Sequence, residues 1–192
     1  MHDEDIGAAV YISKRRGNRH LASYVSVPVA SRVALDLGAS AGGFTTALLA
    51  RGVNRVYAAD TGIGQLVGRL RNDARVVNLE GHNLGLLDTT VVPESVELVT
   101  VDLSFLALAE TVPQLERIRP SRDADLVALV KPTFELRRAG LAPSEADVVE
   151  AVDLATRAVQ AASWTVLGHC MAPTTGRRGA REAFLHGRRR AG

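Results

Sequence analysis

A single cysteine, Cys170, is present among 192 residues, which excludes an internal disulfide framework and any multi-cysteine metal site. Aromatic residues reach only 4%, within a hydrophobic content of 46% that is ordinary for a soluble globular chain. No apolar run approaches the roughly 20 residues that a membrane-spanning helix needs. The first residues, Met1 to Asp5, are acidic and lack the basic-then-apolar layout of a signal peptide. A cytoplasmic setting without membrane attachment is therefore expected. The length suits one domain with a substantial core. Net charge is only +2, yet the basic residues cluster. Lys14, Arg15, Arg16 and Arg19 lie near one end, and Arg177, Arg178, Arg181 and Arg188 to Arg190 near the other. Brought together they would form a phosphate-binding patch; left apart they are solubilising charge on an arm and a tail.

What is present is a regular alternation. Residues 1–24 read as an arm, with residues 25–192 as the folded domain. Strands are predicted at Val33–Leu37, Arg55–Asp60, Arg75–Leu79, Val96–Val101, Asp125–Val130, Trp164–His169 and Ala183–His186. Helical spacing covers Gln65–Arg71, with Leu66 and Leu70 four apart, and Leu103–Ile118. A longer helix opens at Ser144 as N-cap and runs to about Ala162, with Asp147 where a capping box favours Glu or Gln. Strands alternating with helical segments argue for an α/β fold with a mostly parallel sheet and helices on both faces. Ligands of such sheets bind beyond the carboxyl ends of the strands. Gly38, Asp60, Asp102 and Lys131 all fall there.

The stretch from Arg32 to Arg51 organises the chain. A buried strand ends in Gly38, Gly42 and Gly43 and opens a helix, exposing backbone N–H groups at a positive helix terminus. Gly38 to Gly42 satisfies the nucleophile-elbow pattern with Ser40 as nucleophile, but a hydrolase elbow follows several earlier strands. The nicotinamide fingerprint fails at its second glycine, where Ser40 stands. The third reading is S-adenosylmethionine. Asp36 precedes the glycines, and the loop allows close backbone approach to the methionine end of that cofactor. Asp60 can accept both ribose hydroxyls, because an ionised carboxylate offers two acceptor oxygens. Glu80, Gly81, His82 and Asn83, one strand further, would lie beside the adenine. Asp36 has a second role open to it, satisfying loop N–H groups.

At these residues the chain resembles the TlyA-type (haemolysin-A-like) branch of the FtsJ-like RNA ribose 2′-O-methyltransferases. The matching stretches are Leu35–Phe44, Val56–Asp60 with Gly64–Leu66, Val99–Phe105, Ala128–Glu135 and Gly179–Leu185, collinear over residues 30 to 187. The resemblance implies a Rossmann-like seven-stranded sheet over residues 25–192, S-adenosylmethionine as methyl donor, and a Lys-Asp-Lys-Glu tetrad. Three tetrad members fall on Asp102, Lys131 and Glu182. For the first lysine, Lys14, Asn18 and His20 are alternatives. The cofactor contacts implied are Asp36, Gly38, Ala39, Ser40, Gly42, Gly43, Phe44, Asp60 and Thr61, then Glu80 to Asn83, Asp102 and Leu103. The ribosomal-RNA enzymes of this branch usually carry an S4-type RNA-binding module, for which 192 residues leave no room.

Three functions stay open on the sequence. The favoured one is transfer to an RNA ribose 2′-hydroxyl, with Lys131 steering the oxygen and, when neutral, taking its proton. Asp102 and Glu182 would position that amine; as alternatives, Asp102 is a helix N-cap and Glu182 a solvated acid beside Arg181. The second is a methyltransferase acting on a small molecule, and the third a protein that binds S-adenosylmethionine without turnover. His82, His169 and His186 show no metal-ligand spacing, and Trp164 reads as core.

Overall fold

A computed structural model of the chain describes residues 27–138, 143–173, 175–176 and 179–190. The arm expected over residues 1–24 lies outside them. Seven strands form one sheet: β1 (Val33–Leu37), β2 (Arg55–Asp60), β3 (Val76–Glu80), β4 (Leu98–Val101), β5 (Asp125–Val130), β6 (Trp164–Met171) and β7 (Ala183–Arg189). Their order is β3-β2-β1-β4-β5-β7-β6. The first five run parallel, and β7 lies antiparallel between β5 and β6. β1 is central, and the chain reverses its direction of travel across the sheet there, which opens a crevice above β1 and β4.

Alternation along the buried strands sends side chains into two cores. Leu35 and Leu37 face one side with Val99, Val101, Leu126, Ala128 and Val130. There they meet α3 (Leu108–Thr111), a 3₁₀ segment (Val112–Ile118) and α5 (Glu145–Ala161). Ala34, Val56, Ala58 and Val127 face the other side. They pack on α1 (Gly43–Ala50) through Phe44 and Leu48, and on Leu66 and Leu70 at α2 (Gly68–Arg71). The remaining helical pieces are a 3₁₀ turn at Leu84–Leu86 and α4 (Pro132–Glu135). Trp164 is fully buried, as its reading as core required.

Two helical expectations change. Over Gln65–Arg71 only the last four residues are helical: Val67 is extended, with φ −62° and ψ 143°, and the Glu80 carboxylate takes the N–H groups of Gln65 and Leu66 ahead of it at 2.5 and 2.8 Å. The segment from Leu103 holds a loop as far as Ala107 before α3 begins. Pro113 then sits at the first turn of the next piece, and the chain continues as a 3₁₀ helix. The buried positions Leu108, Val112, Leu115 and Ile118 were nevertheless the apolar ones of the pattern. At α5 the Asp147 variant of the capping box closes in full: Ser144 Oγ accepts from the Asp147 N–H, and Asp147 Oδ2 accepts from the Ser144 N–H.

Candidate active site

The glycine loop is held from below by Asp36. Its position in β1 turns the carboxylate towards α1, where Oδ2 accepts the Thr45 N–H at 2.9 Å and the Thr45 hydroxyl at 2.6 Å. Oδ1 accepts the Thr100 hydroxyl at 2.9 Å. Burial outweighs these three bonds and pushes the carboxyl up to about 6. Asp36 is fully buried, so the loop-supporting role named for it is the one its geometry displays. Gly38 has φ 82°, and a Cβ there would meet the Asp102 carbonyl oxygen at 2.5 Å. The absent side chain thus brings the loop onto the end of β4. At Gly42, with φ 94°, a Cβ would collide with Leu70 and Leu66. Phe44 turns its ring into the core, edge-on to Phe184 at 6.4 Å. Ala39 is buried and Gly43 is exposed at the helix start.

Asp60, at the tip of β2, accepts the Ser40 N–H on Oδ2 at 2.8 Å and the Gly62 N–H on Oδ1 at 2.7 Å. Each oxygen retains capacity for a further donor, so the carboxylate can still take two hydroxyls. The Ser40 hydroxyl donates to Gln65 Oε1 at 3.3 Å, a carboxamide partner rather than the imidazole a nucleophilic serine requires. Glu80 is committed to its loop: besides Gln65 and Leu66 it accepts from Asn78 at 3.0 Å. The Leu66 N–H and then Asn78 hold its carboxyl down at about 2. Beyond it Gly81, with φ 79°, and Asn83 are exposed, and His82 is half-buried with Nδ1 at 3.2 Å from the Glu80 carbonyl. Ile63, 83% exposed, leans over Gly81. Thr61 is exposed at the same rim. A glycine cradle, an acid with spare acceptor capacity and an exposed aliphatic cover could hold the methionine, ribose and adenine portions of a nucleoside sulfonium.

On the other side of Gly38, Asp102 and Lys131 meet. Lys131 Nζ lies 2.6 Å from Asp102 Oδ1, both side chains being about nine-tenths buried. The amine also donates to Ser104 Oγ at 3.4 Å and sits 5.9 Å from the centroid of the Phe134 ring. Antiparallel register pairs Val130 with Ala183, which sets the next residues out, Lys131 and Glu182, at the same end of the sheet. Glu182 is half-buried and its carboxylate lies against Gly176, where a Cβ would collide with it. Leu103 is half-buried beside Gly38. Lys14, Asn18 and His20 lie outside the described residues. The basic residues of the N-terminal cluster, with Arg177 and Arg178, lie outside the described residues; β7 carries Arg188 and Arg189 to the foot of the sheet, about 20 Å of strand from Glu182.

Several site residues gave no sequence signal of their own. Thr45 and Thr100 hold Asp36, Gln65 meets Ser40, and Ser104 and Phe134 contact the amine. Phe105 is 86% exposed on a left-handed backbone, φ 78°, with its ring 5.4 Å from that of Phe134. A bulky side chain in that region is unusual and strained. The signal available for it in the sequence was its place three residues after the strand-end acid Asp102, at the close of the Val99–Phe105 stretch. Among the described residues no helix is long and apolar enough to cross a membrane.

Comparison with known proteins places this geometry. The 16S/23S rRNA (cytidine-2′-O)-methyltransferase TlyA of Mycobacterium tuberculosis is 44% identical over 167 residues, 83% of this chain and 61% of that protein. Hemolysin A of Brachyspira hyodysenteriae is 37% identical over 131 residues, 67% of this chain and 54% of that one. The chain thus spans about three fifths of the length of the first of these relatives, and less of the second. Among solved structures, a protein named as a hemolysin from Lactococcus lactis superposes with a TM-score of 0.80 at 27% identity, covering 85% of this chain and 80% of that chain. A counterpart from Streptococcus thermophilus gives 0.78 at 30% identity, covering 85% and 61%. The family described as FtsJ-like methyltransferase matches residues 20–190, and with the cradle and the Asp102–Lys131 pair lying inside that span, the chain belongs to the FtsJ-like methyltransferase family.

Proposed function

We propose that this protein transfers the methyl group of S-adenosylmethionine to a ribose 2′-hydroxyl of RNA. The observation that carries the reading is the buried Asp102–Lys131 pair at 2.6 Å, set beside the Gly38 cradle by contact of that glycine with the Asp102 carbonyl. The relatives named as rRNA cytidine-2′-O-methyltransferases support the acceptor class. When bound, S-adenosylmethionine supplies an electrophilic methyl on a sulfonium. The chain's own residues then have three tasks. The glycine loop and Asp60 hold the nucleoside, and Glu80 and Asp36 fix the loops that do so. Lys131 fixes the attacking oxygen in line, which converts a bimolecular encounter into a positioned one. In its neutral form the Lys131 amine also takes the hydroxyl proton as the new O–C bond forms and the S–C bond breaks. Asp102 restrains the amine to one geometry, and Glu182 closes the same end of the sheet. Phe105 presents an exposed ring at the acceptor side, where a base can stack.

Incubation with labelled S-adenosylmethionine and separate pools of ribosomal RNA and small-molecule extract tests this reading. Label recovered in a 2′-O-methylated nucleoside after RNA digestion supports it; label confined to the extract, or none, overturns it. Lys131→Arg keeps the charge but cannot accept a proton. It is expected to lower kcat by about 100-fold or more while calorimetric affinity for S-adenosylmethionine stays within about threefold. Asp60→Ala is expected to weaken that affinity by about 10- to 100-fold, since it deletes charge-assisted hydrogen bonds. Unchanged affinity there would displace the ribose from its assigned place. RNA affinity that falls steeply as salt rises completes the test of the acceptor.

A further inference from the structure

The loop between Asp102 and Leu108 is fastened to the turn that begins at Lys131 by a graded series of contacts. Asp102 and Ser104 meet the Lys131 amine at 2.6 and 3.4 Å. Phe105 packs against Phe134 with ring centroids 5.4 Å apart and the planes tilted by 53°. The last contact is made by Glu135, whose Oε1 accepts the Leu108 N–H at 3.0 Å. Glu135 is itself tied to Lys131, since its own N–H donates to the Lys131 carbonyl at 3.1 Å.

That last contact replaces a local one. Helices usually draw their N-terminal cap from Ser, Thr, Asp or Asn at the preceding position. Here Ala107 stands there and has no acceptor. The Ala107 N–H is served from within α3, by Glu110 Oε2 at 3.2 Å, and Glu110 is also engaged by Arg137 at 3.1 Å. The Leu108 N–H, on a residue only 2% exposed, depends on Glu135 from another element. The loop it anchors is under strain at Phe105 and needs both ends held.

We propose, resting on the methyl-transfer reading, that Glu135 is a positioning residue that latches the Asp102–Leu108 loop to the Lys131 turn and so holds Asp102 and Ser104 on the reacting amine. Its chemistry is hydrogen-bond acceptance, so an amide oxygen serves and a thioether does not. Burial keeps this carboxyl up at about 7, with the Leu108 bond opposing and the charge of Glu110 adding to the rise. An acceptor retained in so unfavourable a setting is consistent with a role beyond solubility.

The test compares Glu135→Met, which keeps length and volume without a good acceptor, with Glu135→Gln, which keeps the oxygen. In the full chain, Glu135→Met is expected to lower kcat on ribosomal RNA by about tenfold or more, with S-adenosylmethionine affinity within about twofold of the parent. Amide exchange across residues 103–108 should quicken by about tenfold, while β1, β4 and α5 keep their protection. Glu135→Gln should restore both kcat and exchange to within about threefold. Parent-like kcat or parent-like exchange in Glu135→Met overturns the latch, as does equal loss in both variants or exchange that quickens across the whole sheet. If the parent protein itself transfers no methyl to RNA, the functional reading fails, and the exchange comparison still decides whether Glu135 holds the loop.

Discussion

At Asp36 the chain places a carboxyl where water does not reach, and the consequence is measurable. The neutral acid is favoured in the folded state, where the pKa stands at about 6 instead of 3.8. Between those two values the native protein holds a proton that the unfolded chain has released, so stability falls as pH rises through that window. The loss from this group is of order 3 kcal/mol at neutral pH. Asp36→Asn can keep the Thr45 N–H bond through its amide oxygen while having no charge to bury. The stability of the parent relative to Asp36→Asn is therefore expected to drop by roughly 3 kcal/mol between pH 4 and pH 7, read as urea midpoints at each pH. A pH-independent difference would show that the carboxyl ionises freely. Lys131 makes the complementary case: its nearly buried amine is tolerated because Asp102 and Ser104 receive it.

Elements here are shaped by side chains reaching in from elsewhere. Glu80 from β3 holds the backbone of Gln65 and Leu66 in the loop that leads into α2. Its carboxyl is held at about 2, so the stabilisation it lends is present above its ordinary pKa of 4.5 and is lost as pH falls towards 2. α5 is the opposite case, with a start set by its own sequence. Ser144 and Asp147 satisfy each other, and Arg138 reaches Asp147 Oδ1 at 2.9 Å and Glu150 at 3.0 and 3.1 Å. Ser144→Ala is expected to cost about 1 kcal/mol in thermal or urea unfolding. A loss below a few tenths would mean that Asp147 and Arg138 hold the helix start without the hydroxyl.

Across the whole molecule, the foot of the sheet is locked independently of the catalytic end. Asp125 is fully buried at the start of β5. It accepts from Arg32 at 2.6 Å, from His186 Nε2 at 2.7 Å and from Arg188 at 2.9 and 3.1 Å, joining the entry of β1 to β5 and β7. Burial works against its ionisation, yet His186, Arg32 and Arg188 together hold the carboxyl below its ordinary value. Its contribution is therefore present above the ordinary pKa and lost in acid. Asp125→Ala is expected to destabilise by about 3–5 kcal/mol, because His186 and Arg32 lose their shared acceptor. Methyl transfer per folded molecule should be unchanged, since the cluster lies a full strand length from Lys131; a selective loss of kcat would show coupling between the two ends.

The strand cores, the two-faced sheet and the strand-end positions of Gly38, Asp60, Asp102 and Lys131 were determined by sequence alone. Buried parallel strands announce themselves as short apolar runs between turn residues, and the topology of such sheets leaves one end for ligands. Local chemistry also fixed the start of α5. Tertiary structure decided what no spacing encodes: that Asp36 is a buried support, that Glu80 holds the loop ahead of α2, that His186 belongs to a structural lock, and that Glu135 and Phe134 stand behind the Lys131 amine. The physical reason is range. Propensity and periodicity report a few residues along the chain, whereas these bonds join groups between 9 and 61 residues apart, or depend on a ring and an amine whose meeting only the folded turn creates.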